Sequence, residues 1–200
     1  MDLSSAEESN RQIFAAEKMK IKIIKGWGMK PGLLKEINRL WQKEFSGNDS
    51  VMPGNRKDFA EDTFFVLFDG KKILSTGRLR RVAVRFMGRE HKIKGIADIA
   101  SAIKGKGHGK KIMQAMHKYL DNKKQIGIGF CMRKNSPFYR KSGLKIAAAL
   151  AERFIYKNSR GKFVKCSPDT DVIYSIKGKN LINLIIRHPK EKVLMPGRPW

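Results

Sequence analysis

The segment from Lys104 to Lys111 holds the residues best suited to chemistry, because three glycines are interspersed there with four lysines and a histidine. Glycine has no Cβ, so successive backbone N–H groups can converge on one point. A helix that begins at such a segment adds unpaired N–H donors and the positive end of its dipole. The segment therefore predicts a phosphate-binding loop.

Two common phosphate-loop patterns do not fit this segment. The P-loop of nucleotide hydrolases needs glycine at position 104 and serine or threonine at position 111, and both positions are lysine. The dinucleotide-binding pattern is matched by Gly105 and Gly107, but Lys110 stands where its third glycine belongs. The loop is therefore either a phosphate binder of another class or an ordinary Gly/Lys-rich loop.

A strand before the loop and a helix after it are both predicted. Residues Ile93–Ile103 read as a strand, and Ile112, Met113, Met116 and Leu120 share one helical face. Further strands are predicted at 19–25, 63–68, 71–76, 82–86, 125–131 and 172–176, and helices at 4–18, 31–45 and 135–142. The apolar stretch 144–156 fits a strand or a helix, and a strand followed by a turn is favoured. This order predicts a mixed α/β fold with one sheet and helices on both faces.

The composition limits the class of protein. No run approaches the ~18 apolar residues that a membrane span needs, and two cysteines, Cys131 and Cys166, cannot form a disulfide framework. We expect a cytoplasmic, reduced protein without a membrane span or a metal site.

With 43 basic and 18 acidic residues, the net charge of +25 favours anionic partners such as nucleic acid or a phosphorylated cofactor. A general excess of solvated lysines would explain the same charge.

The loop resembles that of the GNAT superfamily, the acetyl-CoA-dependent N-acetyltransferases. Their loop reads Arg/Gln-x-x-Gly-x-Gly/Ala, and Gly107 and Gly109 match its glycines while Lys104 replaces the first residue. A second family feature, Asn or Ala before Phe-Tyr and then Gly, is matched by Asn135, Phe138-Tyr139 and Gly143-Leu144. The resemblance covers residues 19–177, which leaves a helical extension at 1–18 and a C-terminal extension at 178–200.

The resemblance implies a mostly antiparallel, twisted sheet in which two strands splay into a V-shaped cleft for acetyl-CoA. Ala97, Asp98 and Ile99 would bond the pantetheine arm through their backbone. Asn135 would bond pantetheine or cap the following helix, beside Phe138 and Tyr139. The pyrophosphate would be held by the loop residues Lys104, Gly105, Lys106, Gly107, His108, Gly109 and Lys110. His108 could donate to phosphate, although a loop position of this kind is usually exposed.

Two residues are candidates for catalysis by that resemblance. Tyr139 occupies the position that commonly protonates the leaving thiolate. The glutamate that many members use as a base would fall at Lys94 or Gly95, so Asp98, the only acid on the strand, is the candidate base. A water chain, or an amine that loses its proton before binding, is an equal alternative. Cys131 is expected to be a buried packing residue.

The acceptor is the least defined part of the prediction. The acids Asp49, Asp58, Glu61 and Asp62 could attract an amine or could be ordinary solvated loop residues, whereas the net charge favours an anionic acceptor. We expect an N-acetyltransferase that transfers acetyl directly to a primary amine in a ternary complex. The alternatives are a nucleic-acid-binding protein that uses the Gly/Lys loop and Arg78–Arg81, and an acyl-CoA-binding module without catalysis. A homodimer is left open.

Overall fold

The computed structural model describes residues 19–45, 55–158 and 160–197. The helix predicted at 4–18 lies outside these residues, and so does Asp49. No helix in the described part of the chain is long and apolar enough to cross a membrane.

Ten strands and four α-helices make up the described chain. The strands are β1 Lys20–Lys25, β2 Thr63–Asp69, β3 Lys72–Phe86, β4 Arg89–Ser101, β5 Gly127–Met132, β6 Lys145–Ala147, β7 Phe154–Lys157, β8 Phe163–Lys165, β9 Thr170–Tyr174 and β10 Val193–Leu194. The helices are α1 Pro31–Glu44, α2 His108–Asn122, α3 Ser136–Lys141 and α4 Lys179–Arg187.

The strands form one sheet with the order β6-β9-β5-β4-β3-β10-β7-β8. Strand β2 pairs with the first half of β3 and carries β1 on its outer side. Most pairs are antiparallel, and the described strands pair in parallel only between β4 and β5 and between β7 and β10. This is the mixed, mostly antiparallel sheet that the sequence predicts.

Strand β2 shows why helices cover both faces of the sheet. Its alternate residues point in opposite directions, so Phe65 packs with the apolar face of α2, and Phe64 packs with Trp41 of α1. The predicted helical face of α2 is fully buried. The expectation of helices on both faces is therefore confirmed.

Three stretches differ in detail from the predicted elements. The strands predicted at 71–76 and 82–86 are one long strand, β3, that continues through Gly77. The apolar stretch 144–156 contains β6, a 3-10 turn and the start of β7. The C-terminal apolar run forms α4, whose Leu181, Ile182 and Ile185 are buried in the same core as β10.

A short 3-10 turn, Gly26–Gly28, fixes the chain between β1 and α1. Gly26 donates its N–H to the Asp62 carbonyl at 2.9 Å, and Trp27 donates to the Ala60 carbonyl at 3.2 Å. A Cβ added to Gly26 would lie 1.6 Å from the carbonyl oxygen of Phe59, so only glycine allows this approach.

Replacing Gly26 with alanine should therefore destabilise the protein, whereas the same change at Gly28 should not. The new methyl group meets backbone that cannot move without breaking the turn, which should lower the free energy of unfolding by about 2 kcal/mol or more. A Cβ at Gly28 meets nothing within 4 Å, so its variant should stay within about 0.5 kcal/mol of wild type. Urea unfolding of both variants measures the difference, and equal effects would contradict the packing argument.

Candidate active site

The cleft arises where β4 and β5 separate. The two strands pair in parallel only from Lys94–Ile96 to Gly127–Gly129. Strand β4 then runs on to Ser101 and β5 to Met132 without further pairing between them. Among the described residues, no strand covers the β5-facing edge of β4 beyond Ile96, so its backbone groups remain open to a ligand.

A β-bulge marks the point of separation. Thr76 of β3 pairs with Ala100 and Arg78 pairs with Ala97, so Gly77 alone faces the two residues Asp98 and Ile99. Asp98 has φ +53, a left-handed conformation that an ordinary residue adopts only under local constraint. A bulge bends its strand and increases the local twist, and here it lies just past the last residue of β4 that pairs with β5.

Arg78 holds the bulge from the neighbouring strand. Its Nε donates to Asp98 Oδ2 at 2.7 Å, and its Nη1 donates to Asp62 Oδ2 at 3.0 Å. The guanidinium lies 5.2 Å from the ring centroid of Trp41 and 4.5 Å from that of Phe59. All three charged side chains are nearly buried. We call this group of Asp62, Arg78 and Asp98 the arginine cluster.

Burial and charge act in opposite directions on Asp62. Burial raises the pKa of its carboxyl above the usual value, and the positive charge of Arg78 partly offsets that rise. The cluster therefore depends on the guanidinium to keep two carboxylates inside the protein. Because the Asp98 carboxylate already accepts from Arg78, the structure gives it a role in holding the bulge, which competes with its predicted role as a base.

The Gly/Lys loop follows β4 as predicted and leads directly into α2. Gly105 and Gly107 have φ +78 and +75, and a Cβ at either would meet no atom within 4 Å. The glycines are therefore required for backbone conformation and not for space. Gly107 is the N-cap of α2 and provides no side-chain cap.

The amides of this loop are available to a ligand. Within the described chain, no backbone N–H from Gly105 to Lys110 donates to another protein group, and the first donor beyond them is Lys111, which bonds the Gly107 carbonyl at 3.1 Å. The first turn of a helix always leaves such donors without an intrahelical partner. An anion at this point would bind convergent amides and the positive end of the α2 dipole.

A cavity of about 460 Å³ connects this loop to α3. Most of the predicted cofactor-binding residues line it: Ile99, Lys104, Gly105, Gly107, His108, Gly109, Lys110, Asn135, Phe138 and Tyr139. Ala97, Asp98 and Lys106 do not line the cavity, although Ala97 and Asp98 belong to the unpaired edge of β4. The cavity is also lined by four residues that the sequence does not predict, because nothing in their local sequence shows that they face a cleft. These residues are Glu44, Ser101, Ile103 and Lys141.

His108 differs from the exposed loop residue expected from the sequence. Its side chain is buried, and its Nδ1 atom has no hydrogen-bond partner among the described residues. Because α2 begins at His108 rather than after the loop, the residue is turned toward protein. A buried polar atom without a partner at a cavity wall is suited to contact a bound ligand.

Tyr139 is half-buried at the wall of this cavity. Its ring lies 5.0 Å from that of Phe138 in an edge-to-face arrangement. Burial raises the pKa of its phenol above the usual value, and nearby Cys131 and Asp98 add to the rise. The phenol therefore remains protonated at neutral pH, as a proton donor must.

Helix α3, which carries Tyr139, is fixed at its first residue. Ser136 donates to Asp171 Oδ2 of β9 at 2.6 Å, and the Cys131 thiol lies 3.5 Å from the same hydroxyl. Burial raises the pKa of Cys131, so the thiol stays neutral and packs as expected. Asn135 precedes the helix without a side-chain capping bond, which removes the capping role considered for it and leaves its amide free for a ligand.

The acids that could attract an amine already form ion pairs or hydrogen bonds with other groups of the protein. Glu61 pairs with Arg81 at 2.8 Å and Asp62 with Arg78 at 3.0 Å. Asp58 accepts a bond from the Asn55 backbone at 2.8 Å. These contacts do not favour an amine site built from these acids.

Comparisons with known proteins agree with this geometry. The sequence profile of the acetyltransferase (GNAT) domain matches residues 28–147, which is more than half of the chain. The chain therefore belongs to the GNAT acetyltransferase family. No curated protein sequence is significantly similar to it.

Solved structures share the fold at low identity. A GNAT family N-acetyltransferase from Escherichia coli, YhbS, in complex with CoA, is 12% identical with a TM-score of 0.57, over 90% of this chain and 89% of that one. An N-acetyltransferase from Staphylococcus aureus Mu50 is 13% identical with a TM-score of 0.54, over 78% and 96%. A probable N-acyltransferase from Enterococcus faecalis V583 is 20% identical with a TM-score of 0.50, over 64% of this chain but only 32% of that protein.

Removing the guanidinium of the arginine cluster should be costly. The change Arg78→Met removes the cation that bonds both buried carboxylates and should lower the free energy of unfolding by about 3–5 kcal/mol. The deficit should grow as the pH rises above the unfolded-state pKa of Asp62, because without Arg78 the folded-state pKa of this carboxyl rises further above its unfolded value. Chemical denaturation at several pH values measures both effects.

The matched control is Arg81→Met, which removes an exposed arginine from its ion pair with Glu61. Such pairs contribute little, so this variant should stay within about 1 kcal/mol of wild type at every pH. An Arg78→Met variant as stable as this control would show that the cluster does not stabilise the bulge.

Proposed function

We propose that the protein transfers the acetyl group of acetyl-CoA to a primary amine, by direct transfer while both substrates are bound. The observation that carries the proposal is the set of unpaired amides from Gly105 to Lys110, placed at one end of a cavity whose wall includes Tyr139. The family to which the chain belongs and the CoA found in the YhbS structure support it.

The residues present fit this cofactor. The loop amides, the α2 N-terminus and Lys110 suit a pyrophosphate, and Lys104, which pairs with Glu44 at 3.4 Å, lies at the same cavity. His108 also lines this cavity. The open edge of β4 at Ala97–Ile99 suits an extended amide-containing arm, which would bond to it as an added strand. Asn135 and Phe138 would border that arm from α3.

When bound, acetyl-CoA supplies an acyl group activated as a thioester. Tyr139 then serves as a hydrogen-bond donor to the departing sulfur. An ordinary thiol, with a pKa of about 8.5, is a stronger acid than this buried phenol. The hydroxyl therefore stabilises developing negative charge by hydrogen bonding and keeps most of its own proton.

The attacking amine needs to be neutral, and the charge of the protein favours that form. Positive charge near an ammonium group lowers its pKa, because it disfavours a further cation. Lys94 stands at the position where many relatives have a glutamate, and Asp98 is engaged by Arg78. We infer that the acceptor loses its proton to water before attack, so that Asp98 acts through the shape of β4.

Two measurements test the function itself. Calorimetric titration with acetyl-CoA should give one site per chain, and its affinity should persist at high salt. A panel of polyamines, amino acids and aminoacylated molecules should then be incubated with acetyl-CoA while the released thiol is measured. Saturable thiol release with at least one amine is the expected result, and its absence across a broad panel would leave a binding module without catalysis.

Replacing Gly107 with alanine should weaken cofactor binding specifically. Alanine at φ +75 costs about 1 kcal/mol and shifts the amides that converge at the α2 N-terminus, so the Kd for CoA should rise about tenfold. The control is Gly161→Ala, which has a similar φ of +72 in a turn remote from the loop. Both variants should lose similar stability, but CoA binding should change only in the first.

Replacing Tyr139 with phenylalanine should reduce kcat by about a hundredfold and leave the KM for acetyl-CoA nearly unchanged, because the hydroxyl acts on charge that develops during the reaction. Tyr156→Phe, in β7 and remote from the cavity, is the matched control and should keep full activity. A Tyr139→Phe enzyme with normal turnover would remove the phenol from the mechanism.

A further inference from the structure

A second cavity lies at the other end of β4. Its volume is about 590 Å³. Its lining comes from the end of β1, the turn that follows, the segment before β2, the middle of β3, the first half of β4 and the segment that links α2 to β5. The residues that line it are Lys25, Trp27, Ala60, Glu61, Arg81, Lys92, Ile93, Lys94, Lys124, Gln125 and Ile126. We call it the basal cavity.

The basal cavity is separate from the proposed cofactor site. Along β4 the nearest residues that line the two cavities are Lys94 and Ile99, which are five residues apart. At ~3.3 Å per residue this separation is about 17 Å along the strand. The two cavities share no lining residue, so an occupant of the basal cavity would leave the cofactor cavity free.

Positive charge dominates the basal cavity. Five of its lining residues are basic and one is acidic, and the acid, Glu61, is already paired with Arg81. Lys25 donates to the Thr63 and Tyr119 hydroxyls at 3.0 Å each, which holds its ammonium at the cavity wall. Burial lowers the pKa of Lys94, and the nearby charge of Lys25 lowers it further. A bound anion would offset this repulsion.

Trp27 gives the cavity a flat aromatic wall. Its side chain is 66% exposed, which is unusual for the largest apolar side chain. Its backbone is nevertheless fixed, because Gly26 and Trp27 donate to the carbonyls of Asp62 and Ala60, and Arg56 donates to the carbonyl of Trp27. An exposed indole on a fixed backbone, next to lysines, is suited to stack on a planar ring whose substituents are anionic.

Gln125 adds an unsatisfied polar group. Its Oε1 atom is buried and has no hydrogen-bond partner among the described residues. Buried polar atoms in folded proteins are nearly always bonded. Gln125 lines the cavity, so a small rotation of its side chain would bring this amide to an occupant.

We propose that the basal cavity binds a nucleotide, with the base stacked on Trp27 and the phosphate held by Lys92, Lys94 and Lys124. Lysines alone would suit any anion, and the exposed indole of Trp27 is the feature that favours a nucleotide over inorganic phosphate or a carboxylate. The nucleotide is either free or part of a single-stranded nucleic acid, since both present the same base and phosphate. This inference does not depend on the proposed acetyl transfer.

The test uses the full chain and two probes. Fluorescence anisotropy with a labelled ten-nucleotide polythymidine strand measures binding of a nucleic acid, and calorimetric titration with AMP measures binding of a free nucleotide. Binding of either supports the proposal and identifies the source of the nucleotide. The proposal is overturned if neither probe binds at about 100 mM salt, where contacts with phosphates remain measurable.

Variants locate the bound probe. Trp27→Ala should weaken binding about tenfold through lost stacking, and Trp27→Phe should restore part of it. The double variant Lys92→Ala with Lys124→Ala should also weaken binding about tenfold and should lower the slope of log affinity against log salt by about 1.4 for the strand. All of these side chains are exposed, and thermal unfolding verifies that the variants remain folded.

The control removes the same charge elsewhere. Lys162→Ala with Lys165→Ala changes two exposed lysines of the β7–β8 hairpin and should alter affinity by less than twofold. Equal losses in the two double variants would show attraction to the overall charge instead of a site, and would overturn the proposal. So would full binding by the Trp27→Ala variant.

Discussion

The departure of β4 from β5 is the constraint on which the rest of the site depends. A cleft between neighbouring strands leaves backbone groups without partners, and a sheet does not open without a local cause. The cause here is one extra residue in β4 at Asp98, held at a positive φ by an ion pair with Arg78. Three residue pairs before the bulge hold β4 and β5 together, and beyond the bulge the two strands no longer pair.

The arginine cluster connects the opening between β4 and β5 to the buried core of the protein. Arg78 bonds the bulge at Asp98 and the start of β2 at Asp62, and Trp41 of α1 and Phe59 cover its guanidinium. Movement of the bulge would therefore disturb a strand, a helix and two buried charges together. This coupling explains how a strained residue persists in the middle of a strand. Asp98 therefore has a structural role in β4 that does not require it to take part in a reaction.

The sequence was sufficient for the features that depend on local pattern. The Gly/Lys loop and the buried face of α2 follow from residue spacing, and the Phe138-Tyr139 pair follows from the family resemblance. The structure places the loop and the aromatic pair around one cavity, and it buries the α2 face in the core. The bulge could not be predicted, because no residue near Asp98 indicates that Asp98 and Ile99 together lie opposite Gly77. Nor could the burial of His108, which depends on where α2 begins. Glu44 reaches the cavity from a helix more than fifty residues earlier, so only the fold brings it there.

The positive charge of the protein attracts anions in general, and a separate feature is needed to select among them. A net charge of +25 exceeds what one coenzyme needs, and Glu61 and Asp62, two of the acids beside β2, are each neutralised by an arginine. Five basic residues meet at the basal cavity, where Arg81 is paired with Glu61. A long-range positive field attracts every anion alike. Only a shaped wall, such as the exposed indole that Trp27 presents from a fixed backbone, can select among anions, which is why that cavity differs from the general basic surface.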